Sequence, residues 1–154
     1  LGGPQCGVIA GRADLVAQCA AHPLMRALRP GGHTLLALQN VLLSYSARTV
    51  CTQIPFWLMA TTPISSLVTR AERIIASTGV GDSVALDSLI GAGSAPGSTI
   101  ASHGISLAGD QRAKLRHYAT PVIARTVANT TYIDLRSVHP DDDIIIIDAV
   151  NSLK

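Results

Sequence analysis

The spacing of the hydrophobic residues changes once along this chain of 154 residues, and that change limits the folds the chain can adopt. The segment "HTLLALQNVLLSYSARTV" (His33–Val50) has leucines at Leu35, Leu38 and Leu42, which is the spacing of one helix face. From Val80 onward the segments are short, and "SVALDSL" alternates in the way a half-buried strand does. The sequence therefore predicts an α/β protein, in which a helical first part is followed by a compact α+β lobe.

A segment bracketed by prolines, "PFWLMATTP" (Pro55–Pro63), marks the junction between these two parts. We place the division after Leu58, which gives domains of residues 1–58 and 59–154. The first is predicted to contain one buried strand over Cys6–Gly11 and three helices, over residues 12–22, 23–29 and 33–50. Because the third helix carries almost no charge, we expect it to pack on more than one side.

The second part is predicted to alternate between strands and helices. We expect a helix over 64–78, strands over 83–89 and 99–107, a helix over 110–119 capped by Asp110, a hairpin around Asn129–Thr130, and a last helix over 139–153. On the first of these helices the pattern places Arg70, Glu72 and Arg73 on the solvent side. At the start of the last helix, Asp141, Asp142 and Asp143 lie where the helix dipole favours negative charge.

Composition excludes several classes of protein. Hydrophobic residues make up 47% of the chain and charged residues only 14%, which indicates that a partner or further polypeptide covers some of the surface. The net charge of +2 is too small to predict nucleic-acid binding by itself, and five aromatic residues do not suggest a base-stacking platform. No apolar run approaches the roughly 18 residues of a membrane span, and we find no signal peptide. We therefore expect a cytoplasmic protein with no membrane partner.

Two arginines stand in a segment without carboxylates, "HPLMRALRPGG" (His22–Gly32). Arg26 and Arg29 are three residues apart, so a helix places them on one face. Two guanidinium groups beside a Pro-Gly-Gly break can bind a tetrahedral anion through forked hydrogen bonds. The residues alone favour a solvated helix face over an anion site, and both interpretations stay open at this point.

The remaining candidate motifs favour structural roles. The loop "GAGSAPG" (Gly91–Gly97) lacks the lysine of a phosphate-binding loop and precedes a strand, so it is predicted to be a turn. The histidines His22, His33, His103, His117 and His139 show no metal-binding spacing, and His22 and His139 precede prolines as caps or turn residues do. The cysteines Cys6, Cys19 and Cys51 form no CxxC pair, so neither a metal nor a disulfide framework is expected. Only two lysines occur, Lys114 and Lys154, and neither lies where a desolvated Schiff-base amine is expected.

Several segments, in register, resemble one family. "LGGPQCGVIAGRADLVAQCAAHPLMRALRPGGHTLLALQNVL" is similar to bacterial selenocysteine synthases, the L-seryl-tRNA(Sec) selenium transferases. "PFWLMATTPISSLVTRAERI", "GAGSAPG" and "ATPVIARTVANTTYIDLRSVHPDDD" match the same family in the same order. The resemblance covers essentially the whole chain. Family members usually have a glycine where Ala92 stands and an alanine where Cys6 stands, so details of those segments differ.

The resemblance implies a fold-type-I enzyme that depends on pyridoxal 5'-phosphate and converts seryl-tRNA(Sec) to selenocysteinyl-tRNA(Sec) with selenophosphate. Residues 1–58 then form the C-terminal end of the large, cofactor-binding domain, and residues 59–154 form the small C-terminal domain of a homo-oligomer. The residues matching Arg26 and Arg29 bind the anionic selenium donor in the family, and Gly2 and Gly3 lie near the cofactor. The cofactor lysine is expected two positions before Leu1, so this chain by itself contains no catalytic residue and is expected to be inactive.

Two alternatives to this function remain at the level of the sequence. The first is a related lyase that uses pyridoxal phosphate on a small amino acid or amino sugar acid. The second belongs to another class: a truncated, non-catalytic assembly domain whose exposed apolar face over Leu35–Leu43 drives association.

Overall fold

A computed structural model describes residues 2–91 and 97–154 of the chain. The chain divides into two compact units, Leu1–Leu58 and Met59–Lys154. The predicted turn "GAGSAPG" lies outside the described residues between positions 92 and 96. Within the described ranges, no helix combines the length and the apolar character that crossing a membrane requires.

The first unit is built from helices, in agreement with the periodicity of its sequence. Its elements are α1 (Ala13–Ala21), α2 (Leu24–Ala27), α3 (Gly32–Ser46), α4 (Val50–Gln53) and the start of α5 (Pro55–Thr61). The predicted third helix is four residues shorter at its C-terminal end, because Arg48 takes up the left-handed conformation with φ 57°. The backbone N–H of Thr49 donates to the carbonyl of Ser44 at 2.9 Å, and this hydrogen bond closes the end of α3.

The strand predicted over Cys6–Gly11 does not form, which corrects the strand placed in domain 1–58. These residues are irregular, and Val8 and Ile9 are 63% and 62% exposed. A strand needs a neighbour for its backbone hydrogen bonds, and the described residues of the first unit contain no strand that could provide one.

Burial within the first unit is slight. Ile54 is its only buried hydrophobic residue among those described. Helix α3 has no buried residue, and four of its five leucines are exposed by about half or more: Leu35, Leu36, Leu42 and Leu43. The expectation that this helix packs on more than one side is therefore wrong for this chain, because no residue of the helix is buried within the unit.

The second unit is a four-stranded antiparallel sheet with helices packed on it. Its further elements are α6 (Ile64–Thr78), β1 (Asp82–Leu89), β2 (Thr99–Ala108), α7 (Arg112–Arg116), β3 (Arg125–Val127), β4 (Thr130–Asp134) and α8 (Asp143–Asn151). The strand order is β1-β2-β4-β3. The predicted hairpin is confirmed, with its turn one residue earlier, at Ala128 and Asn129. Both turn residues have positive φ, as a type I′ turn requires.

The core of the second unit lies between the sheet and the helices α6 and α8. Leu67, Ala71 and Ile74 of α6 follow one helical stripe and are at most 1% exposed. From the sheet and α8 the core receives Ile105, Leu107, Ile133, Ile146, Ala149 and Val150. Gly79, with φ 64°, ends α6, and its N–H donates to the carbonyl of Ile75 at 2.7 Å.

The side chain of Arg70 is buried, which contradicts the prediction that it lies on the solvent side of α6. Glu72 and Arg73 are exposed as expected, but Arg70 is 6% exposed and binds Asp143, the first residue of α8. The reason is geometric: Arg70 lies three residues after Leu67 and four before Ile74, so the helix turns it onto the buried stripe. Asp143 is likewise buried in an ion pair, whereas Asp141 and Asp142 are exposed near the helix start.

Asp110 accepts the backbone N–H of Arg112, the first residue of α7, at 3.2 Å. The N-cap of this helix is Gln111, so the prediction that Asp110 caps it is wrong by one residue. The Arg112 guanidinium donates to the same carboxylate at 2.9 and 2.6 Å, and the Thr126 hydroxyl donates at 3.0 Å. These hydrogen bonds, first of all those from the Arg112 side chain, hold the pKa of Asp110 well below its usual range.

We expect the Asp110 carboxyl carbon, followed by NMR, to titrate at a lower pH than an ordinary aspartate. Replacing Arg112 by alanine raises that midpoint, because the charged form loses its main donor. Since the pKa is depressed in the folded state, the stabilisation is present above the unfolded-state pKa and is lost as the pH falls through the folded one. The Thr126→Val variant serves as the control with the smaller shift, and equal midpoints in all three proteins would contradict the assignment.

Candidate functional site

The candidate anion site lies in the short helix α2 and the residues that follow it. The Nδ1 atom of His22 accepts the backbone N–H of Leu24 at 3.2 Å, which is a local turn role of the kind predicted for a histidine before a proline. The N-cap of α2 itself is Pro23. Helix α2 ends at Ala27, and Leu28 has φ −91° and ψ 2°. Arg26 therefore lies in the helix and Arg29 lies just beyond it. The prediction that one helix face carries both arginines is wrong in that detail, because the helix ends before the second arginine.

The positive charge of Arg26 and Arg29 has no acidic residue near it in the sequence. No aspartate or glutamate occurs between Asp14 and Glu72 in the sequence. Asp14 is itself paired with Arg12 at 2.5 Å, and this hydrogen bond lowers the pKa of Asp14. Arg26 and Arg29 are exposed and form no ion pair with any residue that the structure describes. Two unpaired guanidinium groups three residues apart are chemically able to bind a phosphate-like anion through charge-assisted hydrogen bonds.

The Gly2–Gly3 segment is explained by packing within its own unit. Gly2 has φ +74°, and a Cβ there would lie 2.7 Å from Cγ2 of Ile54. A Cβ on Gly3 would lie 2.7 Å from Cγ2 of Val41. Side chains at either position therefore clash with apolar neighbours, so both residues must be glycine for this packing.

The other candidate chemical groups are dispersed. Lys114 and Lys154 are exposed, and neither Cys19 nor Cys51 is buried. Within residues 2–91 and 97–154, no three histidine, cysteine or acidic side chains come together to hold a metal ion. His139 has the local role predicted for it, since its Nδ1 atom accepts the backbone N–H of Asp141 at 3.3 Å.

The second unit has an open groove, with a volume of about 720 Å³, that the sequence did not predict. Its lining is Ile64, Ala85, Leu86, Asp87, Ala101, Ser102, His103, Arg125, Val127 and Tyr132. Arg125 of β3 donates to the carbonyl of Asp87 in β1 at 3.1 Å, although two strands separate β1 and β3 in the sheet. The sheet must therefore curl strongly, and no periodicity in the sequence indicates that curl.

Comparison with known proteins identifies the family. Residues 1–139 match the family model described as L-seryl-tRNA selenium transferase. The chain is 34% identical over 150 residues to the L-seryl-tRNA(Sec) selenium transferase of Carboxydothermus hydrogenoformans, covering 90% of this chain and 32% of that protein. It is 32% identical over 167 residues to the enzymes of the same name from Alkaliphilus oremlandii and Geobacter sulfurreducens, covering 99% of this chain and 36% of each.

The chain thus spans about a third of the length of the curated relatives that it matches. The match to the family model runs through both structural units, from the glycine-rich start to the residues before α8. The 154-residue chain belongs to the L-seryl-tRNA selenium transferase family.

Proposed function

We propose that this chain is the C-terminal part of a selenium transferase that converts seryl-tRNA(Sec) to selenocysteinyl-tRNA(Sec) with selenophosphate. The observation that carries the proposal is the family match over residues 1–139. In the complete protein, a cytoplasmic homo-oligomer of fold type I, residues 1–58 end the large domain and residues 59–154 form the small one. The mixed helical and antiparallel architecture of the second unit is compatible with that division.

The residues described here do not by themselves form a site for pyridoxal 5'-phosphate. Its attachment needs a lysine amine, and both Lys114 and Lys154 are exposed. The space beside Gly2 and Gly3 is filled by Ile54 and Val41. We therefore propose that the cofactor's anchoring lysine belongs to a part of the family protein outside these residues.

Arg26 and Arg29 are the residues of this chain that we assign to the selenium donor. Selenophosphate carries negative phosphoryl oxygens, which are the acceptors that guanidinium groups bind best. The two arginines are exposed, and the carboxylate that precedes them in the sequence is already paired with Arg12. We propose that they bind the phosphoryl group of the donor and stabilise the phosphate that leaves it.

The test is donor kinetics in the longer protein that carries this chain. Arg26→Ala and Arg29→Ala are each expected to lower kcat/KM for selenophosphate by roughly ten- to hundredfold, since a hydrogen bond to a charged group contributes about 1.5–3 kcal/mol. Binding of seryl-tRNA should change little in either variant.

Arg73→Ala is the matched control, because it also removes one exposed arginine but from the solvent side of α6. Donor kinetics that stay unchanged in both Arg26→Ala and Arg29→Ala would remove these residues from the donor site.

A further inference from the structure

Charge is segregated along the second unit. Residues 111–133 contain four arginine or lysine residues and no carboxylate, whereas residues 134–154 contain five aspartates against Arg136 and Lys154. The net charge of the whole chain, +2, conceals this separation. Separated charge of this kind orients a domain toward a polyanion without a high overall charge.

The positive charge is concentrated on the short helix α7. Leu115, which is 1% exposed, anchors the helix in the core, and its carbonyl accepts the N–H of Val122 at 3.0 Å. Lys114 and Arg116 precede and follow Leu115, and both are exposed. The anchored backbone therefore keeps both cationic side chains at the surface.

The positive charges of Lys114 and Arg116 are not neutralised by a neighbouring carboxylate among the described residues. Asp110, next to the start of α7, is already paired with Arg112 at 2.6 Å. Lys114 and Arg116 form no ion pair with the part of the chain that the structure describes. Next to them, Nδ1 of His117 lies 2.7 Å from the carbonyl of Ala113, so it is the donor and Nε2 is left available at the surface.

We propose that the exposed face which α7 and its C-terminal end present to solvent, with Lys114 and Arg116 on its two sides and His117 directly after the helix, contacts the phosphate backbone of the tRNA substrate. The proposal rests on the proposed function, because the curated relatives act on seryl-tRNA by name. No aromatic residue belongs to this face, which suits contacts to phosphates better than the stacking of bases. The contact is expected to add affinity without reading the RNA sequence.

The experiment measures binding of an unmodified tRNA(Sec) transcript to the 154-residue chain by fluorescence anisotropy across a salt series. The Lys114→Gln/Arg116→Gln double variant is expected to bind roughly three- to tenfold more weakly at low salt. Its plot of log affinity against log salt should be shallower by about 1.5, since each lost phosphate contact removes 0.7–0.9.

Arg73→Gln/Lys154→Gln is the matched control, because it removes the same two charges from exposed positions outside α7. Circular dichroism confirms that each variant is folded. Equal losses in the two double variants would show an effect of net charge only and overturn the proposal. The proposal would also be overturned if the wild-type chain bound no detectable tRNA. It would equally be overturned if poly-glutamate bound with the same dependence on Lys114 and Arg116.

Selenium transfer is not measured in this experiment, so its outcome is independent of the Arg26 and Arg29 test. If only the Lys114→Gln/Arg116→Gln variant shows a shallower dependence of tRNA affinity on salt, the result supports tRNA binding at α7. This holds even if donor kinetics were to contradict the enzymatic assignment. Loss of the donor effect alone would refute the assignment of Arg26 and Arg29 without affecting α7.

Discussion

Replacing Arg70 by alanine is expected to lower the free energy of unfolding by about 3–5 kcal/mol, because it leaves the Asp143 carboxylate buried without its partner. The two side chains are only 8% and 12% exposed. The guanidinium donates through Nε at 3.0 and 3.2 Å and through Nη2 at 2.6 Å to the carboxylate. It also donates to the carbonyls of Leu135 and Val138 at 3.1 and 3.0 Å. Urea unfolding followed by circular dichroism measures the loss.

A double variant separates the cost of an unpaired charge from the value of the pair. Arg70→Met/Asp143→Leu removes both charges and fills similar volume, so we expect it to recover most of the stability that Arg70→Ala loses. Arg73→Ala, on the exposed side of the same helix, should stay within about 0.5 kcal/mol of wild type. If Arg70→Ala were as stable as Arg73→Ala, Arg70 would have no structural role.

Replacing Arg136 by alanine is expected to cost on the order of 3 kcal/mol, because a buried guanidinium and several partly buried carbonyls lose their hydrogen bonds together. Arg136 is 6% exposed, and the acceptors it contacts are backbone carbonyls. Its Nη1 atom lies 2.9 Å from the oxygen of Met59, 3.2 Å from that of Ala60 and 2.9 Å from that of Thr62. These carbonyls belong to the last residues of α5 and to Thr62 directly after it, where a cation is favoured by the helix dipole and satisfies free backbone acceptors.

The same guanidinium also donates hydrogen bonds to strand β2. Nε and Nη2 of Arg136 donate to the carbonyl of Ala101 at 3.1 and 2.7 Å. The planar fork thus joins a strand to a helix end, and a lysine with a single ammonium group cannot reach both. We expect Arg136→Lys to recover only part of the stability in the same urea experiment, and full recovery would contradict the role of the fork. Arg125→Ala, which removes one exposed hydrogen bond, should cost about 1 kcal/mol or less.

Elements whose signals are local were predictable. Helix α6 has its apolar stripe, and glycine at position 79 ends it. The hairpin between β3 and β4 follows from short alternating strands around Asn129. Each of these features depends on residues within one turn or one strand pair, so a single sequence is sufficient to indicate it.

The candidate site was predictable in its chemistry and less so in its geometry. That Arg26 and Arg29 stand far from any carboxylate is visible in the sequence alone. The end of α2 before Arg29 was not, because the exact boundary of so short a helix depends on weak local terms. The prediction of a strand over Cys6–Gly11 was wrong for a different reason. A strand forms only beside a second strand that accepts its backbone hydrogen bonds, and an apolar run in the sequence does not reveal whether that second strand exists.

By itself, the sequence determined the order of helices and strands in the second unit, the isolation of the two arginines from acidic residues along the chain, and the membership of a family. Each of these follows from residue types and their spacing. Only the tertiary structure decided that Arg70 and Arg136 are buried and that the sheet curls around a groove. An arginine on a helix is assigned to solvent by its type. It becomes part of the core only when a carboxylate or a set of carbonyls from a distant segment compensates its charge, and such partners are brought together by folding.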